Sequence, residues 1–97
     1  MQSVISALRV GTVKKLTAGA ASSESSAFGN HTHVVRIASA DNAFHFRIGK
    51  GAQTATTSDS ICPGAWAEYV LVHPGEQIAV IRAGAADANV TCTEMDA

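Results

Sequence analysis

The sequence predicts an all-β domain, an antiparallel β-sandwich of Greek-key or jelly-roll type with about seven or eight short strands. Three observations carry this. No window of a dozen residues holds apolar side chains at helical spacing without a glycine or β-branched residue interrupting it. Short alternating runs recur instead, divided by turn-forming clusters at the interval of a sandwich or barrel. The chain's 97 residues suffice for one domain with a single modest core. Residues 1–97 are therefore read as one unit, with 1–10 as an N-terminal arm or an edge strand.

Residues 3–10 alternate, with Val4, Leu8 and Val10 on one side and Ile5 and Ala7 on the other. Gly11 predicts a bend or bulge before a continuation over 13–16. Residues 22–28 are small and polar, an edge strand or an exposed loop. The clearest strand is 44–48, Phe-His-Phe-Arg-Ile, in which Phe44, Phe46 and Ile48 share one face and His45 and Arg47 the other. Residues 32–39 precede it, centred on Val34, Val35 and Ile37. The link Ala40-Asp41-Asn42-Ala43 has tight-turn chemistry, so these two strands are expected to pair as a hairpin. Residues 53–61 are rich in Thr and Ser and lead to a turn at Pro63-Gly64. A second hairpin is expected between 68–73 and 77–83, around Pro74-Gly75, where proline sets one turn φ and glycine permits a positive one. Residues 89–95 form the last strand.

Formal net charge is −1, from seven Lys+Arg against eight Asp+Glu, and charged residues make up only 15% of the chain. That balance, with no basic run, argues against a nucleic-acid partner. No apolar stretch approaches the roughly 20 residues of a membrane span, and no secretory leader pattern follows Met1. Cys62 and Cys92 do not make a secreted disulfide framework and read as two small buried thiols. Five aromatic residues make a thin core. The runs 70–72 and 78–81 are apolar on both strand faces, more than one sandwich layer needs, so self-association is expected.

Candidate chemistry is sparse. His31-Thr32-His33 puts two imidazoles on one strand face, and His45 lies on the strand expected beside it, so the three are the candidate metal ligands. The competing reading is a polar sheet face hydrogen-bonded to Ser, Thr or solvent. No Cys-x-x-Cys or His-Glu-x-x-His accompanies them, and neither a metal nor another cofactor is expected. No nucleophile elbow is present; Cys62 has no basic neighbour to activate it; the carboxylates are dispersed. The chain reads as a non-enzyme. Gly49-Lys50-Gly51 reads as a hairpin loop, because a phosphate loop would continue with a Lys-Ser/Thr pair and a helix. Trp66 and Tyr69, three apart on a strand, fall on opposite faces, one for the core and the other for a partner.

The C-terminal half contains Ile61-Cys62-Pro63, Trp66-Ala67-Glu68-Tyr69-Val70, Pro74-Gly75-Glu76, Ile78-Ala79-Val80-Ile81 and Thr91-Cys92-Thr93-Glu94-Met95. In these segments it resembles small structural proteins of tailed bacteriophages. Residues 32–49 are similar in style. These are turns and core strands, which mark a fold more than an activity.

The resemblance implies a virion component, foremost a capsid decoration (cement) protein. Such a protein is made in the host bacterial cytoplasm and placed on the capsid exterior. Its partners would be the major capsid protein and further copies of itself, as a homodimer or homotrimer. The arm, with Val4, Ile5 and Leu8, is the expected contact by strand addition, together with Trp66 or Tyr69. The alternatives are a head–tail or tail-fibre component, a small jelly-roll ligand-binding module, and a cupin-like metalloenzyme resting on the three histidines.

Overall fold

The computed structural model describes residues 9–96. Within them every regular element is a strand: β1 (Arg9–Ala18), β2 (Ser23–Glu24), β3 (Val34–Ser39), β4 (Phe44–Lys50), β5 (Ser60–Cys62), β6 (Trp66–Leu71), β7 (Glu76–Arg82) and β8 (Ala88–Asp96). They form two four-stranded antiparallel sheets, ordered β1-β8-β3-β6 and β2-β7-β4-β5. The all-β sandwich expected from the sequence is the fold observed.

The pairing β1–β8, β2–β7, β3–β6 and β4–β5 is nested, like one long hairpin folded at its midpoint. Rolling that hairpin closes the further pairs β3–β8 and β4–β7. This is the eight-stranded jelly roll. It overturns both hairpins expected from the sequence. β3 and β4 lie in different sheets, as do β6 and β7. In a rolled hairpin each short link carries the chain across the sandwich, so neighbours in sequence face one another over the core. Only β4 and β5, at the midpoint, pair locally.

The links are built for that crossing. Asp41, at the β3–β4 corner, accepts hydrogen bonds from Ser39 Oγ (2.6 Å), Asn42 N (2.7 Å), Asn89 N (3.1 Å) and Asn89 Nδ2 (2.9 Å). The corner is thus tied to β8, far away in sequence. Gly64 packs against it so closely that a Cβ there would stand 2.5 Å from the Asp41 carbonyl oxygen. At Pro63-Gly64 the positive φ falls on Ala65 (55°), so this glycine supplies clearance and not a left-handed turn. Gly75 does take the positive φ (83°) that its Pro-Gly turn requires.

The core lies between the sheets, with Val35, Ile37, Phe44, Ile78, Val80, Val90, Cys62 and Cys92 fully buried and Phe46 and Ile48 packed against them. Phe44 and Phe46 share the inward face, as the alternation predicts, with ring centroids 6.2 Å apart. β1 runs through Gly11 with a register shift between Val10 and Val13, the expected bulge. Arg9 and Val10 therefore belong to a paired strand. Val4, Ile5 and Leu8 lie outside the described residues.

Candidate interaction surface

In antiparallel sheets, residues paired across strands share a face. The β1-β8-β3-β6 sheet consequently has three outward rows that cross all four strands: Val10–Met95–Val34–Leu71, Val13–Thr93–Arg36–Tyr69 and Lys15–Thr91–Ala38–Ala67. The first crosses all four strands without a polar residue. Leu71 is 83% exposed and Val10 70%, with Val13 and Tyr69 also exposed. An open groove runs along this face, lined by Arg36, Ala38, Ala67 and Thr91 and bounded at one end by Ala65, Trp66 and Asn89.

The other sheet has a different fate. Residues 51–59, between β4 and β5, are tied to its strands and their flank. Gln53 N donates to Glu24 Oε2 (2.8 Å), Ala55 N to Ser22 Oγ (2.9 Å), and Arg47 Nε to Asp59 Oδ1 (3.2 Å). Ala55 and Ala79, the latter in the outward row with Arg47 and Glu24, are buried. One outward face is engaged by the chain's own loop. On the other, among the described residues, the edge strands expose Val10, Val13, Tyr69 and Leu71, while Thr93 and Met95 on the central β8 are buried.

Trp66 and Tyr69 do fall in rows of opposite sense, since Trp66 pairs with Ser39 and Tyr69 with Arg36. Neither is core, however. Trp66 is 59% exposed and Tyr69 43%, because β6 is the sheet's edge and Trp66 stands at its first position, at the mouth of the groove.

The metal reading loses its geometry. His45 lies on β4, in the sheet opposite β3, so the pairing expected to converge three imidazoles is absent. His45 Nδ1 is instead 2.9 Å from the Asp59 carbonyl oxygen, holding the β4–β5 loop. His31 and His33 are exposed ahead of β3. Among the described residues no three His, Cys, Asp or Glu side chains cluster as metal ligands. The thiols stand unbridged. Burial pushes Cys62 up to about 11 and Cys92 to about 12, each with a smaller push from a nearby carboxylate. Both are protonated at neutral pH and inert as nucleophiles.

One polar cluster escapes sequence reasoning. Glu94 occupies an inward position of β8, 6% exposed. Its Oε1 accepts from Gly29 N (2.9 Å) and Thr32 Oγ1 (2.5 Å), while Lys14 Nζ, which donates to Ser26 Oγ (2.8 Å), lies 3.6 Å from Oε2. Burial acts to raise the Glu94 pKa; the Thr32 hydroxyl, the Gly29 amide and the Lys14 ammonium together outweigh it and hold the group below its ordinary value. The cluster anchors the β2–β3 loop over one end of the core, a structural task.

No family model, curated protein or solved structure matches this chain.

Proposed function

We propose that the chain is a structural protein of a tailed-bacteriophage virion, foremost a decoration protein that adheres to the outside of the assembled head. The observation that carries this reading is the largely apolar outward face of the β1-β8-β3-β6 sheet, whose edge strands expose Val10, Val13, Tyr69 and Leu71 among the described residues. A patch crossing a whole sheet is what a protein-binding surface offers. Four strands at about 4.8 Å spacing and six residues at about 3.3 Å give about 380 Å². Stable interfaces take about 800 Å² per partner. The face alone falls short, so further contacts are needed: the segment bearing Val4, Ile5 and Leu8, and sister copies in a dimer or trimer, each later contact forming intramolecularly. The jelly roll adds analogy only, since the fold serves capsid proteins and lectins alike.

The test is to mix the purified chain with undecorated heads and sediment them. Co-sedimentation with a fixed stoichiometry, and heads that survive a higher temperature, are the expected results. No co-sedimentation refutes the reading, and binding confined to tails moves the chain to the head–tail or fibre class. Deleting residues 1–8 should weaken attachment while leaving the fold intact.

A second reading, a ligand-binding jelly roll, draws on the groove that ends at Trp66. Trp66 is the single tryptophan, so its fluorescence reports directly. A saturable change on titration with oligosaccharides would favour that reading.

A further inference from the structure

We propose that the outward face of the β1-β8-β3-β6 sheet docks an apolar protein surface bearing two carboxylates, one received by Lys15 and one by Arg36. The inference rests on the reading of the chain as a shell-attached protein and specifies the chemistry its partner presents.

The charges on the fold single out these two residues. The chain has seven Lys and Arg. Lys14, Arg47 and Arg82 lie 3.6, 3.2 and 3.0 Å from Glu94, Asp59 and Asp87. Lys50 lies on β4, in the other sheet, and Arg9 precedes Val10 on β1 and so has the opposite phase to the outward rows. Lys15 and Arg36 remain. Among the described residues neither is ion-paired, and both lie in outward rows of the same sheet. Those rows contain no Asp or Glu. The face is apolar with two separated cations, and its complement is apolar with two separated anions.

Spacing sharpens the specification. Lys15 and Arg36 lie two strands and one row apart, about 12 Å at ordinary sheet dimensions. That exceeds the Debye length of about 8 Å at physiological salt, so the two sites act as independent points that fix orientation on the partner. Arg36 shares its row with Tyr69 and faces the groove, where a guanidinium can grip a carboxylate with two hydrogen bonds. A second copy's face carries the same two cations and no carboxylate in these rows, so it does not offer the complementary charges. Self-association therefore belongs to other surfaces.

The experiment measures binding to undecorated heads for the wild-type chain, Lys15→Glu, Arg36→Glu, Arg36→Lys, Leu71→Asp and a control on the other sheet, Lys50→Glu, with thermal melting to confirm each fold. The expected result is a loss of tenfold or more for Lys15→Glu, Arg36→Glu and Leu71→Asp, partial retention for Arg36→Lys, and wild-type affinity for Lys50→Glu. Wild-type binding untouched by the three face variants overturns the face as the docking site while leaving the shell-attached reading standing. Loss in Leu71→Asp alone overturns the carboxylate specification. No binding by the wild type overturns both this inference and the reading beneath it. Sedimentation showing an oligomer that Leu71→Asp dissolves overturns the choice of partner in favour of a second copy.

Discussion

Thr32→Val tests the claim that Glu94 anchors the β2–β3 loop. The substitution keeps shape and volume close while deleting one donor. Thr32 is 2% exposed and its hydroxyl hydrogen-bonds Glu94 Oε1 at 2.5 Å, so water cannot easily replace it. A hydrogen bond to a charged group contributes about 1.5–3 kcal/mol; a loss of about 2 kcal/mol corresponds to roughly 10 °C in a domain of this size. Thermal unfolding followed by circular dichroism at pH 7 gives the number.

The pH profile isolates the mechanism. Glu94 titrates below its ordinary value of 4.5 in the folded chain. In the window between the folded and unfolded values the unfolded state binds more protons, so stability rises with pH. Glu94's contribution is complete above about pH 5 and vanishes as acid protonates the folded carboxyl. Removing the Thr32 donor brings the folded pKa back up and flattens this acid limb; Glu94→Gln, which keeps an acceptor but cannot ionise, removes its share altogether. Asp41 and Asp59 are depressed as well, chiefly by hydrogen bonds from Ser39 and from the Thr56 amide respectively, so a residual acid limb persists in both variants. A Thr32→Val protein that melts within about 2 °C of wild type, with an unchanged acid limb, refutes the anchoring role.

Gly64→Ala should destabilise by about 1–3 kcal/mol, because its Cβ collides with the Asp41 and Asn42 backbone. Gly75→Ala has open space around it and pays only for its positive φ, about 1–2 kcal/mol; denaturant melts rank the two. Cys62 and Cys92 should resist a thiol reagent at pH 8 until denaturant is added, since burial holds both protonated. Fast labelling of the native chain would show the core to be open.

What was legible in the sequence was local. Alternation in residues 44–48 placed Phe44, Phe46 and His45 on their observed faces, and Gly11 marked the bulge in β1. Turn chemistry located Asp41-Asn42 and Pro74-Gly75 correctly but not the partner of the returning strand. A four-residue link can reverse a chain within one sheet or carry it across a gap of about 10 Å, and inward alternation is identical in the two cases. The difference is made by Asn89 gripping Asp41 and by Gly64 seated on the corner, contacts between residues far apart in the chain. The three-histidine cluster failed with the hairpin it depended on. The Glu94 cluster left one sequence signal: a carboxylate in the inward phase of an otherwise apolar strand, with a lysine in the same phase of β1.

The candidate interaction surface was half legible for the same reason. Residues 70–72 and 78–81 are apolar on both faces, and from sequence they are equally adhesive. In the fold they part company. Ala79 lies in an outward row whose neighbours, Glu24 and Arg47, are bonded to Gln53 and Asp59 of the β4–β5 loop, and it is fully buried. Leu71 lies in an outward row that no such loop reaches among the described residues, and it is 83% exposed. The apolar character of a strand thus states how much surface must be covered; which intramolecular loop arrives to cover it depends on the sheet order. In this rolled hairpin the long midpoint loop returns over the sheet that contains β4 and β5 and not over the outward face of the opposite sheet. That topological asymmetry, more than composition, is the reason for proposing the face bearing Val10, Arg36, Tyr69 and Leu71 as the attachment surface.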